Sequence, residues 1–188
     1  MWPFGKSTAQ RRIDAVTSCA DAMRAAFGPF YGGGRLLAAT KTDPYIAGYM
    51  LHRIMSFAGW AANQNDLSVQ DINPITDHAS ALLFKSDLQA VAEAMGLLKT
   101  GESSKDRFAK GAADAIQFNE YFSGSKDIRE HPLFDRIVKH ANQVALGRTE
   151  PRDFFTEYLM ALQHLTFGRY WMDNYPPASL SEILAGWQ

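Results

Sequence analysis

The chain has 188 residues, 46% of them hydrophobic and 21% charged, with a formal net charge of −1. That composition excludes a disordered chain, and near-neutrality argues against a dedicated nucleic-acid binder, which carries a basic excess. The single cysteine, Cys19, excludes an internal disulfide framework and thiolate zinc sites, and it suits a reducing, cytoplasmic setting.

Residues 1–6, Met-Trp-Pro-Phe-Gly-Lys, read as an N-terminal tail without the apolar stretch of a signal peptide. Ser7-Thr8-Ala9-Gln10 has the form of a capping box opening a first helix. Ile13, Val16, Ala20, Met23 and Phe27 follow at three- and four-residue steps, which predicts its core stripe, and Gly28-Pro29 stops it. Cys19 falls on the apolar side, so a buried, inert thiol is expected. Three consecutive glycines, 32–34, require a loop, and Arg35 to Thr40 predicts a short helical turn.

Asp43-Pro44 pairs an N-cap with a proline at the first helical position and opens a long helix to about Ala62. Its run 44–62 is the longest apolar stretch. His52 and Arg53 lie at the centre, where an arginine costs about 2.5–3.5 kcal/mol in a bilayer. A core helix surrounded by its neighbours is therefore expected, and no membrane span. Asn73-Pro74 opens a third helix to about Lys99, with Ala81, Phe84, Leu88, Val91, Met95 and Leu98 as its seam. A fourth begins at Ser103 or Ser104 and carries Phe108, Ala112, Ala115, Asn119 and Phe122, with Asn119 assigned to the edge of the stripe.

Ser123-Gly124-Ser125 reads as a connector. A fifth helix from Pro132 buries Phe134, Ile137, Ala141 and Val144, with Gly147 as its C′ residue. The sixth, from Pro151 to about Met172, buries Phe155, Leu159, Leu162 and Leu165, while Met160, Phe167 and Trp171 line a second side. A helix apolar on two sides is either central or shared with a partner. Tyr175-Pro176-Pro177 breaks it. Ser179-Leu180-Ser181-Glu182 caps a terminal helix, 179–187, whose Leu180, Ile183, Leu184 and Trp187 share one face. Too short to stand alone, it docks either on its own bundle or in a partner's groove. The expected fold is all-α without β-sheet: a single-domain bundle of six to seven helices over residues 7–188.

The chemistry-bearing residues form no strong motif. None of the five histidines (52, 78, 131, 140, 164) follows a Glu by three positions, and no His-x-x-x-His occurs, so neither di-iron nor zincin-type spacing is present. His131 and Asp135, four apart, are expected as an exposed ion pair at a helix start. No Gly-x-Ser-x-Gly occurs, and Ser56, one turn after His52, would compete with its own helix carbonyls. The glycine loop lacks the lysine and preceding strand of a phosphate loop. Should the chain be an enzyme, His52, Asp77, His78, His140 and His164 are the polar candidates. No metal or cofactor is called for.

What remains is an excess of aromatic and methionine side chains, types enriched at interfaces. Trp2, Phe4, Met160, Phe167, Trp171, Tyr175, Leu180, Ile183, Leu184 and Trp187 are the interaction candidates. The expectation is a small soluble helical protein that binds another protein as adaptor, inhibitor, immunity-type or regulatory subunit. Self-association into a homo-oligomer is compatible with it. The alternatives are a small-molecule-binding bundle or a helical enzyme with a His/Asp site.

Overall fold

A computed structural model describes residues 6–28, 35–84, 91–96, 102–147 and 154–176. Every regular element among them is helical, as expected, and no strand occurs among the described residues. In chain order they are α1 (Thr8–Phe27), α2 (Arg35–Thr42), α3 (Pro44–Gln64), a 3-10 turn (Val69–Asp71) and α4 (Ile72–Phe84). Then come the segment 91–96 (α5), α6 (Glu102–Phe122), a second 3-10 turn (Ile128–Glu130) and α7 (Phe134–Leu146). Last are α8 (Phe154–Gln163), a π turn (His164–Gly168) and α9 (Arg169–Asn174). Among the described residues the elements outnumber the six to seven helices expected, because Arg35 starts a full helix, a π turn divides the sixth, and the third is described as α4 and the segment 91–96. The chain divides into two compact units, with the boundary between Ala115 and Ile116 inside α6.

In the first unit α3 is the core helix. Asp43 accepts the Tyr45 N–H at 2.9 Å, and Pro44 enters the first turn, where its missing N–H costs nothing. Pro44 through Met50 are all buried, so this end of the helix is enclosed on every side. On α1, Ser7 Oγ accepts the Gln10 N–H at 3.2 Å, but the Gln10 amide turns to Asp14, so only half of the capping box forms. Ala15, Cys19, Ala20, Met23 and Phe27 are buried, whereas Ile13 is 59% exposed. The small Ala15 and Cys19 mark where α1 meets the core, and Ile13 lies at the margin of the stripe to which the spacing assigned it.

α4 begins earlier than its proline suggested. The carboxylate of Asp71, only 6% exposed, accepts from Ser68 N–H, Ser68 Oγ and Arg12 Nε at 3.1, 2.8 and 2.7 Å. That cluster nucleates the helix at Ile72 and leaves Asn73-Pro74 inside its first turn, a position proline tolerates.

α3 and α6 touch backbone to backbone. A Cβ placed on Gly48 would collide with the Phe108 carbonyl oxygen, and one on Gly111 with the Tyr45 carbonyl oxygen. The crossing therefore demands glycine on both helices. Tyr45 donates from its hydroxyl to Asp114 at 2.8 Å, and Arg107 donates to Asp43 at 3.2 Å. Arg53, 1% exposed, lies with its guanidinium 4.5 Å over the Phe57 ring; burial lowers its pKa to about 10, which still leaves it charged at neutral pH.

The core of the second unit joins Phe118, Tyr121, Ile128, Ile137, Ala141, Leu159, Ala161 and Leu162. On α6, Asn119 is half-buried, at the edge as expected, and Phe122 is exposed in favour of Phe118 and Tyr121. His131 is not the exposed ion-pair member that its spacing to Asp135 suggested. It is 7% exposed, packs edge-on to Tyr121 at 5.2 Å, and its Nδ1 accepts the Leu133 N–H at 3.0 Å. Gly147 ends α7 at φ −86°, without the left-handed conformation of a C′ glycine.

The π turn decides the register of the chain beyond α8. In an unbroken helix, at about 100° per residue, Phe167 and Trp171 would sit roughly 80° and 120° from Leu159. The extra residue of the π turn takes back about 100°, bringing both within roughly 20° of Leu159. Phe167 and Trp171 are accordingly buried, and the second apolar side expected of the sixth helix merges with the first.

Candidate functional site

Among the described residues, an apolar groove of about 540 Å³ lies in the first unit. Ala9, Ile13, Val16 and Thr17 of α1 form one wall, and Pro74, Ile75, His78 and Leu82 of α4 the other. It exists because α1 and α4 both spend their most apolar stripe on the core. Each keeps one large aliphatic residue outside that stripe, Ile13 at 59% and Leu82 at 46% exposure. A groove of this size lies within the range that takes a small ligand or several side chains of a partner helix.

Polar groups border the groove. At one end Arg12 and Asp71 form the 2.7 Å ion pair described above, with Arg12 more than half exposed. Hydrogen bonds from the Ser68 hydroxyl, then from Arg12, hold the Asp71 carboxyl below the usual carboxylate range. Outside the lining, Arg24 is paired with Asp21 at 2.8 Å and donates to the carbonyl of the groove residue Leu82 at 3.4 Å. His78 Nδ1 lies 2.6 Å from the Pro74 carbonyl. A carbonyl only accepts, so Nδ1 carries the proton in that contact.

Of the polar candidates, His78 alone lines this groove. Asp77, its neighbour in sequence, is exposed, and His52 on α3 is half-buried. Ser56 donates to the His52 carbonyl at 2.8 Å, the backbone competition expected of a helical serine. His140 on α7 and His164 in the π turn come together in the second unit, with ring centroids 4.7 Å apart and planes 9° from parallel. Burial, and then proximity to His140, lower the pKa of His164. Among the described residues no three His, Cys, Asp or Glu side chains converge as a metal-binding group.

The interaction candidates fare unevenly. Met160 is 39% exposed, and Tyr175 is half-buried with its ring stacked on Trp171 at 4.8 Å. Phe167 and Trp171 are buried and offer no surface. Trp2, Phe4, Leu180, Ile183, Leu184 and Trp187 lie outside the described residues. Of the groove residues, spacing assigns Ile13 and Val16 to the core stripe of α1 and does not single out Ile75 and Leu82, because large aliphatics on a helix read as core by spacing alone. The available signal was that Ile13 shares a helix with Ala15 and Cys19, small residues that already fix the buried side. Among the described residues no helix is long and apolar enough to cross a membrane. No known protein family, curated protein or solved structure matches the chain.

Proposed function

We propose that this protein acts by binding another protein, as an adaptor, inhibitor, immunity-type or regulatory subunit, and that the α1–α4 groove is where the partner docks. The observation that carries the reading is the exposure of Ile13 and Leu82 on facing walls of one apolar groove. Isolated apolar side chains on a surface are ordinary, but a pair flanking a groove bordered by an ion pair has the anatomy of a recognition site. An amphipathic helix fits such a cleft, its apolar anchors between Ile13 and Leu82 and a polar flank beside Arg12 and His78.

The test is a comparison of wild type with Ile13→Asp and Leu82→Asp, each purified from the same cells with its bound proteins. Both positions are exposed, so both variants keep their circular dichroism and unfolding midpoint. A partner bound by wild type and weakened by about 30-fold or more in each variant is the expected result, the size of a hot-spot loss. Identical partner sets and affinities in all three proteins would refute the docking role of the groove.

A further inference from the structure

We propose that His140 and His164 together hold a divalent transition-metal ion as a two-imidazole site. The inference is independent of the groove, since both residues belong to the second unit.

The argument begins with how the two rings are held. His140 stands on α7 between the buried Ile137 and Ala141, and His164 follows Leu162 on α8. Both backbones are therefore fixed by the same core. The π turn starts at His164, and such turns recur at ligand sites because they set a side chain off the regular helical register.

The spacing of the rings is the second element. A metal–nitrogen distance of about 2.0–2.1 Å with an angle between 90° and tetrahedral puts two imidazole centroids roughly 4.5–5.2 Å apart. The observed 4.7 Å falls in that interval. The rings now lie nearly parallel, so each must turn about its Cβ–Cγ bond to aim a lone pair at a shared point. That torsion is broad for histidine and inexpensive to change.

The ring nitrogens supply the third. His78 and His131 each commit Nδ1 to the backbone, to the Pro74 carbonyl and the Leu133 N–H. Among the described residues no hydrogen bond engages the ring of His140 or His164. Imidazole suits Zn²⁺, Ni²⁺ and Cu²⁺ rather than Mg²⁺ or Ca²⁺. His164 is exposed, so the ion would be open to solvent and would complete its coordination with water or with a ligand donated from outside.

The experiment uses the full chain without a histidine tag. ZnCl₂ and NiCl₂ are titrated at pH 7.5 by calorimetry against wild type, His164→Ala, His140→Gln and His78→Ala. A single saturable site is expected in wild type, weakened at least about tenfold in His164→Ala and in His140→Gln, and changed less than about twofold in His78→Ala. Ni²⁺ is also expected to broaden the imidazole NMR signals of His140 and His164 before those of the other histidines. His164 is exposed, so its variant folds and keeps the test decisive even if His140→Gln does not. The proposal fails if wild type shows no saturable binding or if His164→Ala binds like wild type. It fails equally if His140→Gln folds and binds normally, or if Ni²⁺ first broadens other histidines.

Discussion

The most constrained residues in this chain are the ones with no side chain. Gly48 and Gly111 each face a carbonyl oxygen of the opposite helix at a distance no methyl group fits. Gly48→Ala and Gly111→Ala should each lower unfolding stability by about 2–3 kcal/mol or more, because the neighbour that must move is backbone. Gly96→Ala is the control. Its Cβ would meet nothing within 4 Å, so denaturant unfolding should show no loss there. His131 sets a pH dependence. Burial lowers its folded pKa below 6.5, so the unfolded chain binds the proton more readily. Stability is therefore fully present above about pH 6.5 and falls as the pH drops below it. Protonation also replaces the Nδ1 acceptor opposite the Leu133 N–H by a donor. Urea unfolding at pH 7.5 and 5 should show a smaller pH penalty in His131→Asn, whose amide oxygen still accepts. Cys19 is wholly buried and its pKa is pushed up to about 12, so a disulfide reagent should label it no faster than the protein unfolds.

At the scale of elements, the helices whose ends carry side-chain chemistry were readable, and those whose ends depend on tertiary partners were not. Asp43-Pro44 located the start of α3 because one carboxylate and one ring do the capping locally. The start of α4 was missed by two residues because the turn that leads into it is held by Asp71, which pairs with Arg12 from α1, fifty-nine positions away. The π turn was invisible for a related reason: the sequence through His164–Gly168 is compatible with an α-helix, and only the burial of Phe167 and Trp171 favours the extra residue. Deleting Thr166 removes the extra residue, so the continuous α-helix that remains should keep both rings within roughly 20° of Leu159. The expected cost is well below that of Trp171→Ala, about 3–5 kcal/mol, and thermal or denaturant unfolding of the two variants checks it.

At the scale of the molecule, the all-α class followed from helical periodicity and from the absence of any strand-like alternation. The division near Ala115 did not, because it falls inside one continuous helix with no proline or loop to mark it. Among the described residues, the apolar side chains that suggested recognition divide, with Met160 exposed. Phe167 and Trp171 are buried, while Ile13, Leu82, Val69 and Leu146 are exposed. Composition reveals how many such residues a chain has; which of them face water depends on rotations of a helix by a fraction of a turn. Ile13 illustrates this, since it follows the spacing of the stripe and still lies outside it.

The interlocked crossing of α3 and α6 bears on descent. Gly48 meets the carbonyl of Phe108, and three residues later Gly111 meets the carbonyl of Tyr45, itself three before Gly48. Loops can lengthen and surfaces can be repainted by mutation, but neither glycine can be exchanged without parting the two helices. Any distant cousin of this chain, however far its remaining letters have drifted, should therefore keep that reciprocal pair, and it is the signature by which kinship would be recognised.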